Sequence, residues 1–252
     1  PTPPSTGIDV AAVKCACAII SLAHLRQRHV SKDLSSRIHK YLEHQYSQQN
    51  NHVQLRQIKV LDGLSESLQN ELTHQMHSPH LLKHPFFDYL NAEMEVVMHR
   101  LCRLALHQQS YAEREVVFGA GDEATKVFFV KSGSLDYTMM DGMTLQPPPQ
   151  PREWIGEALL WTVWRHQGDL LAMIESELIS IDPNQFVAVM SVHPKPWFYA
   201  KRYADKFLEY LNSISRTELL DILRHDSFYA TAVSEIRPYH RQSLAGHGSE
   251  SP

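Results

Sequence analysis

The sequence predicts an α+β fold in which helices lead into an antiparallel, jelly-roll-like β-roll and helices follow it. Three observations carry this. Apolar residues recur at helical spacing between Leu34 and Met76. From about Tyr111 to Asp182, short β-rich runs are punctuated by Gly, Asp and Pro, as in small rolls and barrels. Beyond Asp182 the helical spacing returns. At 43% hydrophobic residues over 252 positions, the chain can fill a core of this kind.

Residues 1–30 form a connector. Its most apolar run, Ile8 to Leu25, is interrupted by Asp9 and Lys14. The uncharged part falls short of the roughly 20 residues a bilayer span needs. No basic stretch precedes it as in a secretory signal, so the run reads as a helix packed on a core or a partner. In SKDLSSRIHKYLEHQY, Leu34, Ile38, Tyr41, Leu42 and Tyr46 share a helix face, with Ser31 or Asp33 as N-cap. A second helix fits VQLRQIKVLDGL and stops near Gly63. A third is capped by Ser65 and runs through Leu68, Leu72 and Met76 to a break at Ser78-Pro79. Two shorter helices, broken near Pro85, fill Leu81 to Leu106, so the boundary between helical and β-rich parts falls near residue 80.

The β-rich runs are EVVF, KVFFVKSGSLDYTMM, DLLAMI and ELISI. Leu135, Tyr137 and Met139 alternate with Asp136 and Thr138, the pattern of a half-buried strand. NQFVAVMSV is a short helix and HPKP a break. WFYAKRYADKFLEYLNSI is a long amphipathic helix whose stripe takes in Tyr199, Tyr203, Phe207, Tyr210, Leu211 and Ile214. The end, HRQSLAGHGSESP, has the composition of a disordered tail.

Composition excludes several functions. A net charge of −4 with 21% charged residues does not fit a nucleic-acid binder. Cys15, Cys17 and Cys102 have no metal-type spacing, which fits a reducing cytosolic setting. His74, His77, His80 and His84 are spaced H-x2-H-x2-H-x3-H, but Pro79 interrupts the helix and no Cys or carboxylate cluster joins them. They read as a solvated, pH-responsive surface, with no metal expected. No HExxH, GxSxG, Walker-type loop or nucleophilic Cys–His pairing is present, so the chain is not expected to be an enzyme.

Several stretches, in order, resemble a cyclic-nucleotide-binding domain preceded by the helical linker of voltage-gated and cyclic-nucleotide-gated cation channels, of the hyperpolarisation-activated or ether-à-go-go-like kind. DLSSRIHKYLEHQY and LDGLSESLQNEL resemble the linker, and LLKHPFF the approach to the binding domain. FGAGDEATKVFFVKSGSLDY resembles the domain's strand-turn-strand, GEALLW its phosphate-binding cassette, and ESELISIDPNQF its closing strand and first lid helix. The resemblance spans roughly residues 25–215. It implies a channel-type linker over 31–80, a β-roll with lid helices over 81–215, and a C-terminal helix and tail over 216–252. It further implies the regulatory region of a potassium or cation channel on the cytoplasmic face of a membrane. Such a region tunes gating and assembles as a homotetramer with like subunits and a pore domain, touching the membrane only through that pore. The chain opens PTPPSTG without an initiator Met, as a fragment or a processed piece would. The alternative is a soluble cyclic-nucleotide-responsive regulator resembling a kinase regulatory subunit.

By the same resemblance, cAMP or cGMP would lie against Gly156, Glu157, Ala158, Leu159, Arg165, His166 and Gln167, beneath a lid bearing Tyr203, Phe207 and Tyr210. A short helix starting at Gly156-Glu157 would aim free N–H groups at the phosphate, and Gly156 would permit close approach. Glu157 would accept from the ribose hydroxyl. The second half departs from the family pattern. Its phosphate-gripping Arg falls on His166 and the next Thr or Ser on Gln167, with Arg165 one position early and Asp169 close by. Arg is favoured there for its bidentate, charge-assisted grip. Three readings stay open: Arg165 turns inward, His166 substitutes with little charge at pH 7, or no nucleotide binds and Trp161 and Trp164 help fill the space. Ala124, where the family often has Gly, bears on turn geometry alone.

Overall fold

The structure is a computed structural model that describes residues 64–215, 218–224 and 226–236. The expected connector, the helices over 33–46 and 53–63 and the tail from His240 lie outside the described residues. Helix α1 (Glu66–Leu81) starts where Ser65 Oγ accepts from Leu68 N at 3.4 Å. It does not stop at Pro79, as the sequence suggests. Pro79 removes one backbone donor and crowds the turn before it, yet the helix runs on through Leu81 and closes with Leu82 N–H on Ser78 O at 3.1 Å, with Ser78 and Leu81 buried.

Helix α2 (Pro85–Glu93) begins with Pro at its first position and His84 as N-cap. Helix α3 (Glu95–Leu104) buries Val97, Met98, Leu101 and Cys102 on one stripe. Strand β1 (Leu106–Tyr111) follows directly and begins earlier than its polar LHQQSY sequence suggests. Its partner explains it: every residue from Leu106 to Tyr111 is registered against β7 (Ser176–Ile181), and β1 is an edge strand.

The remaining strands are β2 (Val116–Phe118), β3 (Val127–Ser132), β4 (Leu135–Met139), β5 (Trp154–Ile155) and β6 (Gly168–Ala172). They form two antiparallel sheets, ordered β1-β7-β3-β5 and β2-β6-β4. Four consecutive residues of β3, Val127 to Val130, are buried, because the first sheet is covered on both faces. Val127 and Phe129 pack into the helix-side core, Phe128 and Val130 into the roll interior. The layers are therefore helices, first sheet and second sheet, and the expected α+β roll with flanking helices is what forms.

A four-residue 3-10 turn (Glu157–Leu160) connects β5 toward β6. Helix α4 (Pro183–Met190) is capped by Asp182, whose Oδ1 accepts from Asn184 N at 2.8 Å and Gln185 N at 3.0 Å. Helix α5 (Pro194–Ser213) takes in the expected HPKP break as its own first turn, since Pro is well suited to that position. It buries Tyr199, Tyr203, Phe207 and Leu211, four residues apart. Helix α6 (Asp226–Ile236) packs on α5, with Phe228 stacked on Tyr210 at 4.3 Å between ring centroids. No helix among the described residues is long and apolar enough to cross a membrane.

Candidate functional site

The expected cassette lies between β5 and β6, where the chain passes from the first sheet to the second. Gly156 takes φ 78°, the left-handed region that favours glycine. A Cβ there would meet nothing nearer than Lys126 O at 3.7 Å, so the backbone conformation and not close approach explains this glycine. Ala158 is buried and Leu159 half-buried, both against the helix-side core.

Glu157 is 3% exposed, and its carboxylate is ringed by donors from the chain itself. Oε1 accepts from Tyr203 OH at 3.0 Å and Trp161 Nε1 at 3.3 Å. Oε2 accepts from Tyr229 OH at 2.7 Å and Trp154 Nε1 at 3.0 Å. His84 Nε2 approaches Oε1 to 3.1 Å, off the line of an ideal hydrogen bond, while its Nδ1 accepts from Phe86 N and caps α2. Burial would raise the Glu157 pKa, but the pull of His84 and the bonds from Tyr229 and Trp161 outweigh it, and the carboxyl sits below its ordinary value. Tyr203 and Tyr229 are pushed well above the usual phenol range, first by burial and then by the facing Glu157 charge.

The second buried acid is Asp221, 3% exposed, in the segment 218–224 between α5 and α6. Its Oδ1 accepts from Trp164 Nε1 at 2.7 Å and His166 Nδ1 at 2.9 Å. Oδ2 accepts from Tyr137 OH and from the backbone N–H of Gln167, both at 2.7 Å. Gly156 N–H donates to the Asp221 carbonyl at 2.7 Å. Since a carboxylate only accepts, His166 presents a protonated Nδ1 to it, and its ring stacks on Phe118 at 3.5 Å between centroids. Four donors converging on one buried carboxylate make strong, charge-assisted bonds.

The neighbouring side chains extend this plug. Ile222 packs among Phe118, Phe128 and Leu170 in the roll interior, while Leu223 joins the helix-side core. Arg224 donates to Pro147 O at 2.7 Å, Pro148 O at 3.2 Å and Glu153 at 3.0 and 3.2 Å, which fixes the segment to the loop before β5.

Each expected site residue can now be placed. Gly156, His166 and Gln167 meet at Asp221, whereas Glu157 belongs to a separate ring with Tyr203. Arg165 is exposed and points the other way, donating to Gly121 O at 3.0 Å. Asp169 accepts from Ala120 N at 2.7 Å, in that same outer turn. Trp161 donates to Glu157 and Trp164 to Asp221. Phe207 is fully buried and Tyr210 partly so, beside α6.

The histidines divide. His84 is 1% exposed, contrary to a solvated surface, because it caps α2 and faces Glu157. His74 Nε2 pairs with Asn91 Oδ1 at 2.6 Å. Among the described residues no group of three or more His, Cys, Asp or Glu is placed to hold a metal ion.

Sequence reasoning missed Asp221, Tyr229, Tyr137, Trp154 and His84 as parts of the site. One signal was available for Asp221: it is the single charge inside LLDIL, between two pairs of large aliphatic residues. A charge in such a run is either exposed or held by buried partners.

No curated protein matches the chain. The stretch from the second half of β1 to just past α4 matches the model of a family described as the cyclic nucleotide-binding domain. The order of strands, cassette and first following helix agrees with that match, so residues 108–193 are a cyclic nucleotide-binding domain.

Proposed function

We propose that the chain is the regulatory region of a potassium or cation channel, in which a degenerate cyclic nucleotide-binding domain modulates gating and tetramer assembly without needing free nucleotide. One observation carries the ligand half of this reading: the Asp221 carboxylate already takes the donors of the cassette, including Gln167 N–H and His166 Nδ1. A cyclic phosphate bears one negative charge and would compete for the same groups. It would also find no guanidinium there, since Arg165 faces outward. Glu157 is equally committed, so a ribose hydroxyl would have to displace Tyr203 or Tyr229. The channel half rests on the linker resemblance of residues 31–80 and makes the working unit a tetramer at the cytoplasmic face of a membrane. The chain performs no catalysis in this reading. The segment 218–224 holds the lid helix α5 in its closed arrangement, and any nucleotide acts by shifting that balance.

Calorimetric titration with cAMP and cGMP tests the reading. The wild-type chain is expected to give no heat up to millimolar ligand. Micromolar binding by the wild-type chain overturns the self-filled cassette. Light scattering on the same sample tests assembly, with a tetramer expected and a concentration-independent monomer against it.

A further inference from the structure

We propose that a hollow between the end of α1 and the loop before β5 binds an organic anion carrying two or more phosphates. The hollow has a volume of about 440 Å³ and is lined by Pro79, Leu82, Lys83 and Arg152. That is the size range of small-molecule sites, roughly 300–1,000 Å³. It lies outside the cassette and shares no residue with it.

Charge is the first argument. Lys83 and Arg152 are both exposed, and among the described residues neither forms an ion pair or a side-chain hydrogen bond. Glu153, next to Arg152 in sequence, and Glu177, which acts on neighbouring His80, are engaged by other partners. Glu153 is held by Arg224 at 3.0 Å and by Gln150 N at 2.8 Å, and Glu177 by Lys131 and Gln108, both at 2.9 Å. In a chain of net charge −4, two unanswered cations converging on one hollow suit a multivalent anion.

Backbone geometry is the second. Arg152 holds φ 68°, a left-handed conformation that is uncommon for a side chain of its size. Its N–H donates to Val130 O at 2.7 Å, which fixes the loop on β3 and sets where the guanidinium starts. Strain of this kind clusters at ligand clamps.

His80 supplies the third. It is half-buried, and its Nδ1 is enclosed without a hydrogen-bond partner. Its pKa is lowered first by burial, then by the charges of Lys131 and Arg152, with Glu177 opposing. Two cations, Lys131 and Arg152, thus lie within electrostatic reach of the His80 ring. Pro79 and Leu82 add an apolar floor for the carbon frame of a ligand, while the two cations grip phosphate oxygens. The carbonyl end of α1 opposes an anion, but with only about half a charge.

The phosphates could come from a soluble inositol polyphosphate or from a phosphoinositide headgroup in a bilayer, and the test separates these. The full chain is titrated with inorganic pyrophosphate, and independently sedimented with phosphatidylcholine vesicles with and without phosphatidylinositol bisphosphate. The test variant is Lys83→Ala with Arg152→Gly. Glycine suits φ 68°, so this variant is not expected to lose its fold. The control, Lys195→Ala with Lys201→Ala, removes the same charge from the exposed face of α5. Binding of at least one probe is expected, weakened at least tenfold in the test variant and less than twofold in the control. Pyrophosphate binding without vesicle binding assigns a soluble ligand, and vesicle binding that needs the bisphosphate lipid assigns a headgroup. No binding of either probe at millimolar phosphate, or equal loss in both variants, overturns the site.

Discussion

At the residue scale the molecule turns on two buried carboxylates, each holding four donors. Replacing Asp221 by Asn keeps its shape but turns one acceptor into a donor. That NH2 must then face either the Trp164 and His166 N–H groups or the Tyr137 and Gln167 donors. Neither the Trp164 nor the Gln167 N–H can rotate away. Asp221→Asn is therefore expected to cost about 2–4 kcal/mol, read as a lower urea midpoint at unchanged slope. A change below about 0.5 kcal/mol would mean that the carboxylate is not held as described. Cys102 gives a second residue-scale expectation. Burial pushes its thiol up to about 12, so iodoacetamide at pH 8 should leave the Cys102 peptide unmodified until the protein unfolds. Modification at native rates equal to a free thiol would contradict that burial. These residues also show where sequence reasoning stops. Gly156 and Glu157 were legible because a local motif marks them. Their partners were not, because Asp221 lies 65 positions beyond Gly156 and Tyr229 lies 72 beyond Glu157, and nothing local encodes that meeting.

At the scale of elements, the segment 218–224 behaves as a strap from α5 to α6 across the roll. It has little regular structure, so side chains hold it: Asp221 in the cassette, Ile222 in the roll, Leu223 in the helix-side core and Arg224 on the loop before β5. Arg224→Ala removes contacts that are partly solvated, so its stability cost is expected to be modest, about 1–2 kcal/mol. Its local effect should be larger. Hydrogen exchange across 218–236 is expected to quicken while β3 and β7 stay protected. Unchanged exchange in 218–236 would show that Arg224 does not clamp the strap. The elements were mostly legible, because β3, β4, β6 and β7 carry their own apolar pattern. β1 was less so, since LHQQSY is polar and β7 alone supplies its register. The two residues of β5 are too few for any pattern. Pro79 misled for a related reason: the local cost of a proline inside a helix is outweighed here by burial of Ser78 and Leu81 on either side, which the local pattern does not show.

For the molecule as a whole, Glu157 is the joint between layers. Its ring of partners draws His84 from the start of α2, Trp154 from β5, Trp161 from just past the 3-10 turn, Tyr203 from α5 and Tyr229 from α6. Protonating it should therefore loosen helices α5 and α6 and the roll together, with the sign set by its lowered pKa. A carboxyl whose folded pKa lies below the unfolded value, here 4.5, stabilises fully above that value. The contribution fades as pH falls through the lower folded pKa. Glu157→Gln removes the linkage, since an amide does not titrate in this range. The wild-type chain should then be the more stable by about 2–4 kcal/mol at pH 7. That gap should hold down to about pH 4.5 and narrow steadily below it. Urea midpoints of both chains measured from pH 7 to pH 3 give the comparison. A gap that widens as the pH falls, or that is already absent at pH 7, would show that Glu157 does not carry its charge in the folded protein. The layers would then be joined by apolar packing and the strap 218–224, without a charged Glu157 between them.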